Sequence, residues 1–179
     1  TIELTVTANE DGLVSKHLAR HARPGDVVGL SQADGEFVLP ETDPASAVFI
    51  SGGSGVTPVL SMLRTLVSQS FAGPITFVHY APTRHDVAYR AELAELEQAH
   101  PQLDLRLHFT READDGHFTV DHLDGVPALA DADVFVCGPA PLMDAVAAAH
   151  ADLGISRPLH REAFTLTAPV VADPGSADG

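Results

Sequence analysis

The sequence predicts an α/β fold: a five-stranded, doubly wound parallel sheet over residues 45–164, preceded by the last strands of an antiparallel β unit. Three observations predict it. From Ala47 onward, apolar strands alternate with glycine-bearing turns and helices, the pattern of parallel strands joined by crossover helices. Two of those strands run straight into glycine loops that open helices, where sheets of this class bind ligands. With 45% hydrophobic and 20% charged residues in 179, the chain can bury one full core.

The elements follow in order. Thr1–Thr7 alternates Ile2, Leu4 and Val6, and Asp26–Ser31 and Gly35–Leu39 read as two further short strands around an Asp34-Gly35 turn. Between them, Lys16–Ala22 reads as a helix with Ser15 as N-cap and Pro24-Gly25 as its stop. The stretch from Pro40 to Pro44 interrupts all periodicity and ends the front segment, 1–44. Strands are then expected at Ala47–Ser51, Ile75–Tyr80, Leu103–Phe109, Asp133–Cys137 and Leu159–Phe164, with helices at Val56–Ser68, Val87–His100 and Pro141–Leu153. In the first of these helices Val56, Val59, Leu60, Leu63 and Val67 form one core-facing stripe. Residues 165–179 have linker composition.

A net charge of −15, from 25 acidic and 10 basic side chains, argues against general binding of nucleic acid or anionic membrane, so any anion must be held by a local site. No apolar run approaches the roughly 20 residues of a membrane span and no signal peptide is recognisable, so the chain reads as cytoplasmic. The single cysteine, Cys137, can neither close an internal disulfide nor by itself ligate zinc or an iron-sulfur cluster. Of the ten histidines, His17 with His21 and His117 with His122 have suggestive spacing, but no third ligand accompanies either pair, and no metal site is assigned.

The strongest local signal is Ser51-Gly52-Gly53-Ser54-Gly55-Val56-Thr57-Pro58, between a buried strand and an amphipathic helix. Glycines let the backbone approach a phosphate, and the free N–H groups of the helix start attract negative charge. Such a turn also occurs as a purely structural device. This one lacks the lysine of a Walker loop and carries Pro58 where the Rossmann fingerprint has a glycine. The second signal, Cys137-Gly138-Pro139-Ala140-Pro141, again joins a strand to a helix, and it shares a crevice with the first if the two strands are neighbours.

Together, Gly52–Pro58 and Cys137-Gly138-Pro139 resemble the nucleotide-binding domain of the ferredoxin-NADP reductase family, and Gly12-Leu13-Val14-Ser15 and Gly35-Glu36-Phe37 resemble its flavin-domain motifs. The resemblance implies an NAD(P)-binding domain at 45–164 behind the C-terminal part of an FAD-binding barrel at 1–44. It implies that Gly12, Val14 and Ser15 hold FAD pyrophosphate, and that Gly53, Gly55 and Thr57 lie about the dinucleotide, Thr57 near the reacting rings. Cys137 and Gly138 would border the nicotinamide, Glu162 would be the carboxylate at the flavin edge, and Phe164 the aromatic against the ring. On this resemblance Thr57, Cys137 and Glu162 are the catalytic candidates. The family's Arg-x-Tyr-Ser/Thr flavin motif is absent, so the sequence reads as the rear part of a longer reductase. Residues 165–179 fall where relatives with a fused plant-type 2Fe-2S ferredoxin domain continue.

No acid ends the Ile75–Tyr80 strand, as one does in many NAD sites. Instead Thr83, Arg84 and Arg90 stand where relatives bind the 2′-phosphate, which points to NADPH over NADH. The bland alternative pairs Arg84 and Arg90 with Asp86 or Glu92 at the surface. The resemblance implies electron transfer from NADPH or NADH through FAD to an acceptor such as a ferredoxin domain, an oxygenase or a desaturase. The reductase portion of a flavohaemoglobin-like enzyme and a non-catalytic dinucleotide sensor are the alternatives.

Overall fold

The computed structural model describes residues 2–8, 11–30, 32, 34–41, 44–112 and 116–164; the linker-like residues 165–179 and Ser31 lie outside them. Its centre is a five-stranded sheet of β1 (Ala47–Gly52), β2 (Ile75–Ala81), β3 (Leu103–Phe109), β4 (Asp133–Cys137) and β5 (Leu159–Glu162). All four pairings are parallel and the order is β3-β2-β1-β4-β5, so the chain winds outward one way from β1 and then returns to its other side. Every residue of β1, β2 and β4 is buried, which is why these strands are almost continuously apolar in sequence.

Each face of the sheet carries its own core. On one, Phe49, Phe77 and Phe135 meet α2 (Val56–Ser68) and Leu93 of α3 (Arg90–Ala99); on the other, Val48, Ile50, Val78, Val134 and Val136 meet Met143 and Val146 of α4 (Ala140–Asp152). The Phe49 ring centroid lies 5.4 Å from that of Phe135 and 6.1 Å from that of Phe77. Burying each such side chain contributes roughly 1.5–3 kcal/mol. The expected stripe on α2 holds at Val56, Val59, Leu60 and Leu63; Val67 is only partly covered, while Met62 and Leu66 complete the buried face. At the opposite end of β4 from the glycine loops, the buried Asp133 carboxylate receives Arg157, whose Nε donates at 2.9 Å.

Four expectations need correction. Helix α1 spans Leu13–His21 with Gly12 as its N-cap, so Ser15 lies inside the first turn, too late in the chain to cap it. Helix α3 begins at Arg90 instead of Val87, because Tyr89 takes a left-handed φ of 58° that a helix cannot contain. The described residues of Thr1–Thr7, Asp26–Ser31 and Gly35–Leu39 form no strand, and β5 stops at Glu162, two residues short of Phe164. A strand requires a hydrogen-bonded neighbour, and among the described residues these segments have none. Ile2, Leu4, Val27, Val28, Leu30 and Val38 accordingly stay exposed.

The front segment still touches the sheet unit. Phe37 packs edge-on against Phe135 at 6.1 Å, Glu3 pairs with Arg64 of α2 at 3.0 Å, and the hydroxyls of Thr5 and Tyr89 are hydrogen-bonded. No helix among the described residues is long and apolar enough to cross a membrane.

Candidate functional site

The chain changes winding direction between β1 and β4, and the two glycine loops leave the sheet side by side at that point. Ser51 is in register with Cys137, so Gly52–Gly55 and Gly138-Pro139 stand next to each other as the sequence predicted for neighbouring strands. The fit depends on the absence of side chains. A Cβ built on Gly55 would overlap the Cys137 carbonyl, one on Gly138 would stand 3.0 Å from the Gly52 nitrogen, and one on Gly52 would stand 2.9 Å from Leu142 Cδ2. Gly53 is exposed and left-handed, φ +55°, a backbone state that glycine adopts without strain.

After this turn, Gly53–Gly55 passes as one 3-10 turn into α2, whose first N–H groups receive no side-chain cap. Thr57 sits in the first turn of α2, its hydroxyl donating to the Ser54 carbonyl at 3.0 Å. The uncapped N–H groups, the helix dipole and the glycine backbone make a cradle suited to an anion in an otherwise acidic protein. A crevice of about 310 Å³ opens beside it, lined by Gly52, Gly53, Tyr80, Pro82, Phe118 and Leu142 among others. A second hollow of about 790 Å³ lies over Thr57, between Ser54, Arg64, Tyr89, the front segment and the exposed ring of Phe164. Thr57 and Phe164 thus line one hollow.

Cys137 and Glu162 are in register across β4 and β5. Burial, and next the Glu162 charge, push the Cys137 thiol up to about 12, so at neutral pH it is an uncharged wall and not a nucleophile. The same row across the sheet continues through Ser51 to His79, where Ser51 Oγ and His79 Nδ1 are 2.8 Å apart. Burial pushes His79 down to about 4, which keeps its imidazole neutral.

The sequence reading missed this Ser51–His79 pair. It also missed an aromatic group on the other face, where Tyr80 Oη meets His122 Nδ1 at 2.6 Å, the His122 and His108 rings stack at 3.9 Å, and Phe118 stands edge-on to both Tyr80 and His122. The signals available were the pair of polar rings, His79-Tyr80, near the end of an apolar strand, and His122, singled out only for its spacing from His117.

The remaining candidates are dispersed. Thr83 is engaged by Asp86, whose Oδ2 accepts from the Thr83 backbone N–H at 3.0 Å and hydroxyl at 2.7 Å. Arg84 pairs with Glu112 at 2.6 Å, a partner the sequence reading did not consider, while Glu92, one of the two it did, is taken by Arg64 at 2.6 Å. Arg90 is exposed at the start of α3 and makes no ion pair among the described residues. Gly12, Val14 and Ser15 on α1 line neither hollow, and α1 buries no residue.

A doubly wound parallel sheet with a glycine cradle at its reversal point defines a dinucleotide-binding domain. Residues 49–148 match the family described as "Oxidoreductase NAD-binding domain", and the chain belongs to that family, within the ferredoxin-NADP reductase group. It is 36% identical to an NADPH oxidoreductase of Mycobacterium tuberculosis, over 96% of this chain and 45% of that protein. It is 33% identical to the NADH oxidoreductase HCR of Escherichia coli, over 92% of this chain and 50% of that protein. Among solved structures, the flavohem-like FAD/NAD-binding domain of nitric oxide dioxygenase from Vibrio cholerae superposes with a TM-score of 0.77 at 28% identity, over 86% of this chain and 65% of that one. The chain therefore spans about half the length of these two curated relatives.

Proposed function

We propose that this chain is the nicotinamide-dinucleotide-binding part of a flavin-dependent oxidoreductase that passes electrons from NADPH or NADH through FAD to an iron-sulfur or haem acceptor. The observation that carries the reading is the meeting of the Gly52–Gly55 and Cys137-Gly138 loops at the reversal point, so close that a Cβ on Gly52, Gly55 or Gly138 would crowd the facing loop or the start of α4. Residues 45–164 form the NAD(P) domain, 1–44 belong to the FAD domain, and 165–179 are a linker.

In this reading the cradle holds the pyrophosphate, and the crevice beside Tyr80 and Phe118 takes the adenosine. Thr57, Cys137 and Gly138 line the nicotinamide end, where the neutral thiol adds no charge and excludes water from the reacting face. Glu162, half-buried beside Cys137, holds or releases a proton at the flavin edge, and Phe164 covers the larger hollow beside Thr57. Gly12, Val14 and Ser15 offer the uncapped start of α1 to the FAD pyrophosphate, a donor set that suits an anion. When bound, the flavin supplies the conversion of a two-electron donor into single-electron transfers. With a single cysteine, any 2Fe-2S cluster belongs to another domain or partner, such as a ferredoxin domain, an oxygenase or a desaturase. The similarity to the Vibrio cholerae domain favours a second reading, in which the acceptor is a flavohaemoglobin-type haem.

Thr83, Arg84 and Arg90 are the proposed receivers of the 2′-phosphate, which makes NADPH the preferred donor. Calorimetric titration with NADP+ and with NAD+ tests this. Arg84→Ala is expected to weaken NADP+ roughly tenfold, as loss of one charge-assisted hydrogen bond does, and to leave NAD+ unchanged. Equal losses for both would remove Arg84 from the site. A folded chain that bound neither nucleotide would overturn the dinucleotide reading. A chain that bound them but, within the whole flavoprotein, reduced no acceptor would be a sensor instead.

A further inference from the structure

Two of the three donors assigned to the 2′-phosphate, Thr83 and Arg84, are already engaged by carboxylates, whereas Arg90 makes no ion pair among the described residues. Glu112 Oε2 takes the Arg84 guanidinium through Nη2 at 2.6 Å, while Glu112 Oε1 accepts from Arg84 Nε at 3.3 Å and from the Arg84 backbone N–H at 3.0 Å. Asp86 Oδ2 takes both the hydroxyl and the backbone N–H of Thr83, at 2.7 and 3.0 Å. Glu112 makes with Arg84 the planar two-oxygen contact that a phosphate would make, and Asp86 meets Thr83 through one oxygen, as a single phosphate oxygen would.

Glu112 is delivered there by the main chain. The end of β3 runs against the end of β2 through Thr110 N–H to the Ala81 carbonyl and Arg111 N–H to the Pro82 carbonyl, both 2.9 Å, and Glu112 N–H closes a turn onto the Phe109 carbonyl at 3.1 Å. Thr110 and Pro82 line the crevice proposed for adenosine, so the carboxylate stands at its rim. The Arg84 guanidinium also lies 5.7 Å from the Phe109 ring centroid, which holds it on the Glu112 side.

We propose that Glu112, with Asp86 in a lesser part, sets the choice between NADPH and NADH by occupying two of the three 2′-phosphate donors, so that a 2′-phosphate reaches Arg84 and Thr83 only by displacing these carboxylates. The proposal rests on the dinucleotide reading above. A dinucleotide without the phosphate leaves the pairs intact and meets no competitor. Selectivity is then a difference between two anions competing for one set of donors, and removing the internal anion raises affinity for the external one alone.

The test uses 5′-AMP and adenosine 2′,5′-bisphosphate as probes, titrated calorimetrically into the chain, its Glu112→Gln and Asp86→Asn variants and the Arg84→Ala/Glu112→Gln double variant, with thermal melting as the check of folding. Glu112→Gln is expected to tighten the bisphosphate roughly tenfold and to leave 5′-AMP within about twofold, since one competing charge-assisted contact is lost. Asp86→Asn is expected to do the same to a smaller extent, and adding Arg84→Ala is expected to cancel the gain of Glu112→Gln. Unchanged or weakened bisphosphate binding in a folded Glu112→Gln chain overturns the proposal, as does equal tightening of both probes, which would mark the pair as loop scaffolding. If the folded parent chain binds neither probe, the dinucleotide reading falls first and takes this one with it.

Discussion

Two regions of the chain carry equally regular apolar patterns and end in opposite states. Along 47–162 the apolar residues of β1, β2 and β4 are all buried, whereas in the front segment Ile2, Val27 and Val28 remain 76%, 96% and 55% exposed. The difference teaches that alternation identifies a face able to be covered, not the presence of a cover. In the sheet the cover is internal, from α2, α3 and α4. In the front segment the only internal cover among the described residues is at its end, where Phe37 and Leu39 reach the core beside Phe135.

The contrast can be sharpened by substitution. Phe49→Ala, at the junction of three aromatic rings, is expected to lower unfolding free energy by about 3–5 kcal/mol in chemical denaturation. A loss under about 1 kcal/mol would mean that the aromatic core is not what holds the sheet.

The next effect depends on pH. His79 is neutral when folded and titrates near 4, against an ordinary value near 6.5 in the unfolded chain. Its contribution is therefore complete above about pH 6.5 and is lost as pH falls toward about 4, roughly 3 kcal/mol in all. The Arg64 and Arg84 guanidinium groups hold the Glu92 and Glu112 carboxyls below the ordinary carboxylate value, so these pairs too weaken as the pH falls into the acid range. Denaturation curves at several pH values should show the decline in the parent chain and a flatter profile in His79→Gln; parallel profiles would remove His79 as its source.

Gly55→Ala sets a methyl against the Cys137 carbonyl, a backbone overlap that no rotamer relieves. It is expected to cost about 2–3 kcal/mol and to abolish binding of both NAD+ and NADP+ in calorimetry. Retained binding would show that the two loops are not a single cradle. The smallest effect belongs to the front segment: Val28→Thr, on a side chain already in water, should change stability by less than about 0.5 kcal/mol.

How much could be read beforehand follows the same division. Buried parallel strands leave nearly unbroken apolar runs, so β1, β2, β4 and the glycine loop stood out. β3 showed as the alternation of Leu103, Leu105 and Leu107, and the meeting of the two loops was legible only on condition that β1 and β4 are neighbours. The start of α3 was hidden because nothing in Val87-Ala88-Tyr89 announces a left-handed tyrosine. Glu112 was hidden for another reason: it lies 28 residues from Arg84, and only the pairing of β2 with β3 brings them together. Ser51 and His79, too, are separated by 28 residues and meet only through the register of β1 and β2. Chemistry local in sequence was legible, whereas contacts made by strand order were not.

Strand order also sets a timetable. On a ribosome, β1 is made before the other strands of its sheet, and Cys137 comes 86 residues after Ser51, so the edge of β1 that will meet β4 stays bare while β2 and β3 are synthesised. The first half can assemble from neighbouring segments, whereas the wall against which Gly55 is fitted arrives only with the longest loop closure of the sheet. The cradle consequently forms only after the first three strands of the sheet have been made. A dinucleotide cannot guide the early steps of folding, and it can stabilise the protein only by capturing a sheet that has already closed.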